Sequence, residues 1–270
     1  MRPIGVFDSG IGGLTVVNAL RDLLPNEEIY YIGDTARVPY GSKSPSTVER
    51  YSFEIAQMLL GENAKAIVVA CNSASAVALP QLREKFDVPM LGVIEPGAAA
   101  AANVTRNGRV GVIGTRATIK SCAYESALRR LNKDLEIVAR PCPLLVPLIE
   151  EGWLHDDVTD RAIARYLTPL LDSGIDTLVL GCTHYPLLRD AFARFLGSSV
   201  TLVDSAQNCA RAVAELLNEN KLAAAASSLG KLTVALTDKP DAFLDIARTC
   251  LQLDLGDVLL RDPSEHGASR

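Results

Sequence analysis

Residues 66–75 read AIVVACNSAS and residues 177–186 read TLVLGCTHYP. In each, a short run of apolar, β-favouring or small residues leads straight into a cysteine, followed by small hydroxyl and amide side chains. Runs of this length that stop at turn-forming residues predict buried strands emptying into turns. Open α/β sheets bind their ligands at the carboxyl ends of parallel strands. Cys71 and Cys182 are therefore expected at equivalent places in two related halves.

The repeat reaches beyond these runs. IGVFDSG at 4–10 lies over VGVIGTR at 110–116 with an offset of 106, and the two cysteine runs are offset by 111. MLGVIE at 90–95 lies over TLVDSA at 201–206, again offset by 111. Three strand-to-turn segments in one order at nearly constant spacing predict duplicated α/β units with mainly parallel sheets. The expected first domain is 1–96 together with 207–270, the tail packing back on it, and the expected second domain is 97–206.

A chain of 270 residues can bury a large core, and 48% apolar with 5% aromatic residues is the composition of an α/β protein. A net charge of −5 argues against a nucleic-acid surface, which needs clustered Lys and Arg. The apolar runs are too short for a membrane span, and the first strand starts too near Met1 for a cleavable signal. The expected location is cytoplasmic. None of the six cysteines forms a C-x-x-C pair, and with three histidines neither a disulfide framework nor a zinc site is expected.

Along the chain, the turn Asp8-Ser9-Gly10-Ile11-Gly12-Gly13 fits a dinucleotide fingerprint poorly, because the third glycine would fall at Thr15. The better reading is a turn that exposes Asp8, Ser9 and backbone N–H groups at a helix N-terminus to a small charged ligand. A blander reading has Asp8 or Ser9 only capping the helix. Pro39-Tyr40-Gly41-Ser42 is a tight turn ahead of a helix over 46–60. Strands are expected at 28–34, 88–95, 108–115 and 135–143. Glu95-Pro96-Gly97 is expected to break the chain before an Ala-rich helix to Val104, and 118–131 is expected to be one helix, with Thr118 or Ser121 near its start.

A thiol at a strand end and helix start can be a buried small hydrophobe, the reading given to Cys122, Cys142, Cys209 and Cys250. It can also be reactive, with its pKa lowered by the helix N-terminus. The polar residues after Cys71 and Cys182 favour reactivity there. A Cys182-His184 hydrolase leaves Cys71 unexplained, and a non-catalytic dicarboxylate-binding module leaves both thiols without work. Two matched thiols suit inversion of a carbon centre, in which a thiolate takes the α-proton from one face while a thiol gives one to the other.

DSGIGGLTV, PYGSKS, ACNSAS, VPLIEEG and GCTHYPLL, in this order, resemble the cofactor-independent aspartate/glutamate racemase superfamily, and the histidine of GCTHYP resembles its glutamate branch. The resemblance implies two pseudo-symmetric α/β domains with the active site at their interface, no cofactor and no metal. It implies Cys71 and Cys182 as the acid/base pair, Cys71 acting on the D isomer and Cys182 on the L isomer. Asp8, Ser9, Tyr40, Gly41, Asn72, Ser73, Thr183 and His184 would hold glutamate, with Pro39 and Ser42 beside them. Asp8, Glu150 and His184 match positions that support the thiols. Ser73 departs from the Thr common in the family, keeping the hydroxyl and losing a methyl. The implied role is D-glutamate supply for peptidoglycan. The implied partner is the small-molecule substrate, with no nucleic acid and no membrane, and a homodimer is left open. With the first strand almost at Met1, dependence on a cell-wall precursor as activator is not expected.

Overall fold

The computed structural model describes residues 2–225, 229–238, 247, 251, 253 and 255–263. Its strands are β1 Ile4–Asp8, β2 Ile29–Gly33, β3 Ala66–Val69, β4 Met90–Gly92, β5 Arg109–Gly114, β6 Glu136–Pro141, β7 Thr177–Gly181, β8 Thr201–Asp204, β9 Leu232–Leu236 and β10 Val258–Leu260. They form two sheets, ordered β10-β9-β2-β1-β3-β4 and β6-β5-β7-β8, and all pairings are parallel. The block β2-β1-β3-β4 repeats as β6-β5-β7-β8. The offsets read from the sequence superpose β1 on β5, β3 on β7 and β4 on β8.

β1, β3 and β7 are buried from end to end, which explains their unbroken apolar runs. The helix Leu14–Leu23 packs with the helix Ser205–Glu219 in one apolar cluster over the first sheet. The helix Ile94–Val104 packs with Ala123–Leu131 over the second. β9 joins β2 with Leu232 opposite Ile29, and β10 joins β9, so both extend the first sheet. Among the described residues, no helix is long and apolar enough to cross a membrane.

Three local expectations fail. Glu95-Pro96-Gly97 does not interrupt the chain; it lies in the first turn of Ile94–Val104, and the expected strand over 88–95 shortens to β4. N–H groups in a first turn have no acceptor within the helix, so proline costs nothing there. The expected helix 118–131 is two, Arg116–Lys120 and Ala123–Leu131, divided at Cys122, whose φ of 55° is left-handed. Cys122 is exposed and not a core residue, unlike the fully buried Cys142 and Cys209. Cys250 lies outside the described residues.

Candidate active site

The two cysteines arrive at the site by the same route. Cys71 follows β3 and caps the helix Asn72–Val77, which is tied to its strand through Ser75 Oγ, a donor to Val69 O at 2.8 Å and an acceptor from Val93 N at 3.3 Å. Cys182 follows β7 and leads into the 3-10 turn Tyr185–Leu188. Both line one small, narrow cavity, whose other walls include Ser9, Pro39, Gly41, Asn72, Ser73, Thr115, Val146, Thr183 and His184.

Of the residues expected to hold substrate, Ser9, Gly41, Asn72, Ser73, Thr183 and His184 line the cavity, while Asp8 and Tyr40 stand behind it. Asp8 is fully buried, and its Oδ2 accepts from the N–H groups of Gly10 and Gly13, both at 3.0 Å. The turn therefore absorbs the Asp8 carboxylate instead of exposing it, and the helix Leu14–Leu23, whose N-cap is Gly13, has no side-chain cap. Its other oxygen accepts from Thr183 Oγ1 at 3.4 Å, joining the turn after β1 to the turn after β7. Tyr40 is fully buried with its hydroxyl donated to Asp34, whose other oxygen accepts from Thr237 at 2.8 Å. Pro39 and Gly41 bring this loop to the cavity wall, whereas Ser42 turns to an outer groove.

The surroundings of the two thiols differ. Cys71 Sγ lies 3.7 Å from Ser9 Oγ. Burial and then the Asp8 carboxylate push this thiol up, against opposing hydrogen bonds from Ala74 and Ser9. The expectation that a helix N-terminus lowers it fails for Cys71, because six residues of helix do not offset full desolvation. Cys182 Sγ lies 3.9 Å from His184 Nδ1, and His184 Nε2 lies 3.1 Å from Glu150 Oε1. Burial opposes a charged imidazole, yet the bonds to Cys182 and Glu150 prevail and bring His184 up to about 10. Burial pushes Cys142 and Cys209 up to about 12, as fits inert core thiols.

Thr115 is a wall residue that the sequence reading missed. Its hydroxyl lies 2.9 Å from Ser73 Oγ and 3.1 Å from Thr118 Oγ1, forming a hydroxyl cluster on one wall. The signal was available, because the offset of 106 places Thr115 over Ser9. Asn72 Oδ1 accepts from Tyr124, while Asn72 Nδ2, buried on the cavity wall, has no partner among the described residues. A buried donor without an acceptor is costly, so it marks where an acceptor on a ligand is wanted. Among the described residues no three His, Cys, Asp or Glu gather as a metal site.

A profile of the Asp/Glu/hydantoin racemase family matches residues 14–213. The glutamate racemase of Geobacter metallireducens is 51% identical over 257 residues, covering 95% of each chain. Among solved structures, a glutamate racemase isoform of Bacillus anthracis superposes with a TM-score of 0.92 at 40% identity, covering 97% of both chains. The glutamate racemase of Francisella tularensis in complex with D-glutamate gives 0.91 at 37% identity, covering 98% of both.

Proposed function

The chain belongs to the Asp/Glu/hydantoin racemase family, and on that premise we propose that it interconverts L- and D-glutamate without a cofactor, supplying D-glutamate for peptidoglycan in the cytoplasm. The observation that carries this reading is the arrival of Cys71 and Cys182, from pseudo-equivalent strand ends, on the walls of one cavity. We assign the two thiols to domains 1–96 with 207–270 and 97–206.

One sulfur, as thiolate, takes the proton from Cα, and the thiol across the cavity delivers its proton to the opposite face. Each turnover exchanges the protonation states of the two cysteines, and the reverse reaction restores them. The carbanion is the obstacle, so donors must be fixed where its charge spreads. The hydroxyls of Ser9, Ser73, Thr115 and Thr183 stand on the walls for that charge, and Asn72 Nδ2 for a carboxylate held alike in ground state and transition state. An amino acid carries its ammonium group on Cα, next to the attacking sulfur, and so brings Cys71 the positive charge that burial and Asp8 deny it. On the other side, a protonated His184 stabilises negative charge developing on the Cys182 sulfur, with Glu150 holding the ring. Asp8 acts from behind, through the turn that it braces and through Thr183.

Cys182, His184 and Glu150 also form a chain of the kind that activates a nucleophile in hydrolases. That reading leaves Cys71 idle, and one experiment separates the two. Incubation with L-glutamate in heavy water should yield D-glutamate carrying deuterium at Cα. Cys71→Ala and Cys182→Ala should each abolish interconversion in both directions. Full activity of Cys71→Ala would sink the two-thiol reading.

A further inference from the structure

Tyr124 is fully buried on the helix Ala123–Leu131 of the second half, yet its hydroxyl reaches into the first and donates to Asn72 Oδ1 at 2.7 Å. Asn72 directly follows Cys71. The tyrosine ring lies in a slot that glycines leave open. A Cβ on Gly181 would stand 3.0 Å from Tyr124 Cε2, and one on Gly97 3.3 Å from the hydroxyl. Gly181 directly precedes Cys182. One side chain thus touches the backbone before one cysteine and the amide after the other.

A primary amide has two unlike ends, and half a turn about its last bond exchanges an acceptor for two donors. Toward a carboxylate the nitrogen end attracts and the oxygen end repels. The nitrogen end of Asn72, on the cavity wall, is the one without a partner among the described residues. A phenol can accept as well as donate, so its own oxygen must be occupied if it is to select the amide oxygen. Ser205, buried beside Tyr124, is placed to fill that role: a Cβ on Gly97 would lie 3.3 Å from the phenol oxygen and 3.4 Å from Ser205 Cβ. A Ser205 hydroxyl donated to that oxygen would set one direction, from Ser205 to Tyr124 to Asn72.

We infer that Tyr124 is a positioning residue for racemisation, holding Asn72 Oδ1 so that the amide N–H groups face the cavity and receive a substrate carboxylate. This rests on the reading that the site takes glutamate. Tyr124 touches no reacting atom, and the Asn72 contact serves ground state and transition state alike. Its loss should therefore appear in KM and leave kcat nearly intact.

Tyr124→Phe keeps the ring between its glycines and removes only the hydroxyl. We expect KM for both isomers to rise about tenfold with kcat within about twofold of the parent. Asn72→Ala should raise KM comparably, and Tyr124→Phe placed on Asn72→Ala should add less than about a further twofold. A general structural role would instead let the two penalties multiply. An unchanged KM, a loss confined to kcat, or multiplying penalties would overturn the assignment. Should Tyr124→Phe fold poorly, Ser205→Ala tests the same chain: its KM increase must also vanish on the Asn72→Ala background, and a persisting increase refutes the relay. The parent enzyme, assayed alongside in both directions, reports separately on the glutamate reading, because an inactive parent would remove that premise and not the Tyr124 step alone.

Discussion

His184 meets Glu150 through Nε2 and Oε1 at 3.1 Å, which leaves Nδ1 facing the Cys182 sulfur 3.9 Å away. Cys71, its counterpart in the repeat, has the Ser9 hydroxyl and the charge of Asp8 as neighbours. Duplication supplied two matched thiols, and divergence set one beside a cation and the other near an anion. The two directions of the reaction thus begin from chemically different faces.

In the folded chain His184 holds its proton up to about 10, against an ordinary 6.5. Between these values the folded state binds more protons than the unfolded one, so stability falls with rising pH. The contribution is complete below 6.5 and is lost as pH rises through about 10. His184→Asn should be less stable than the parent at pH 6, by urea denaturation, with the gap narrowing steadily toward pH 10. A gap that stays constant with pH would show that the folded imidazole is not charged.

Asp8 and Ser9 act on Cys71 in opposite senses, the carboxylate raising its ionisation and the hydroxyl lowering it. At pH 8, Asp8→Asn should therefore speed alkylation of Cys71 by iodoacetamide, and Ser9→Ala should slow it. Mass spectrometry of the labelled peptide resolves this site from the other thiols. Equal rates in all three proteins would remove Asp8 from the account of this thiol.

Gly12 is where the turn after β1 meets the turn after β7. A Cβ there would lie 2.3 Å from Thr183 Oγ1, 2.6 Å from His184 Nδ1 and 2.9 Å from the His184 backbone nitrogen. The backbone atom cannot swing aside, so Gly12→Ala must displace the Cys182 turn. We expect kcat/KM to fall by about 100-fold or more, since about 1 Å of misplacement costs that much. Overpacking should also cost about 1–3 kcal/mol of stability. Activity within tenfold of the parent would mean that the two turns move independently.

Thr237 fastens the loop that carries Pro39 and Gly41, donating to Asp34 Oδ1 at 2.8 Å and accepting from Ala36 N at 2.9 Å. Thr237→Val removes both bonds with little change of shape, at a cost of about 1–3 kcal/mol. Glutamate KM should rise more than kcat falls. Unchanged KM and unchanged unfolding together would show that the loop holds its place without β9.

The sheets and both cysteines were legible because duplication wrote them twice, and a fully buried parallel strand cannot hide its apolar run. Thr115 was legible in principle as the mate of Ser9, but it follows β5 without the Asp-Ser-Gly pattern that drew attention to the first turn. The break at Cys122 was not legible, since neither Gly nor Pro marks it. Pro96-Gly97 misled in the opposite direction, because a first helical turn accepts what a later turn would not. The support of Tyr40 by Asp34 and Thr237 lay out of reach, since Thr237 follows β9, about 200 residues further along the chain. Long-range polar partners leave no periodic trace.

Strand β2 finds one neighbour in β1 and the other only in Leu232–Leu236. During synthesis the half begun first is therefore completed last, and β2 stays an open edge while the whole second sheet can already form beside it. A ribosome halted anywhere between about residue 210 and residue 230 would carry a chain with both thiols made and the clamp on the Pro39–Gly41 loop still missing.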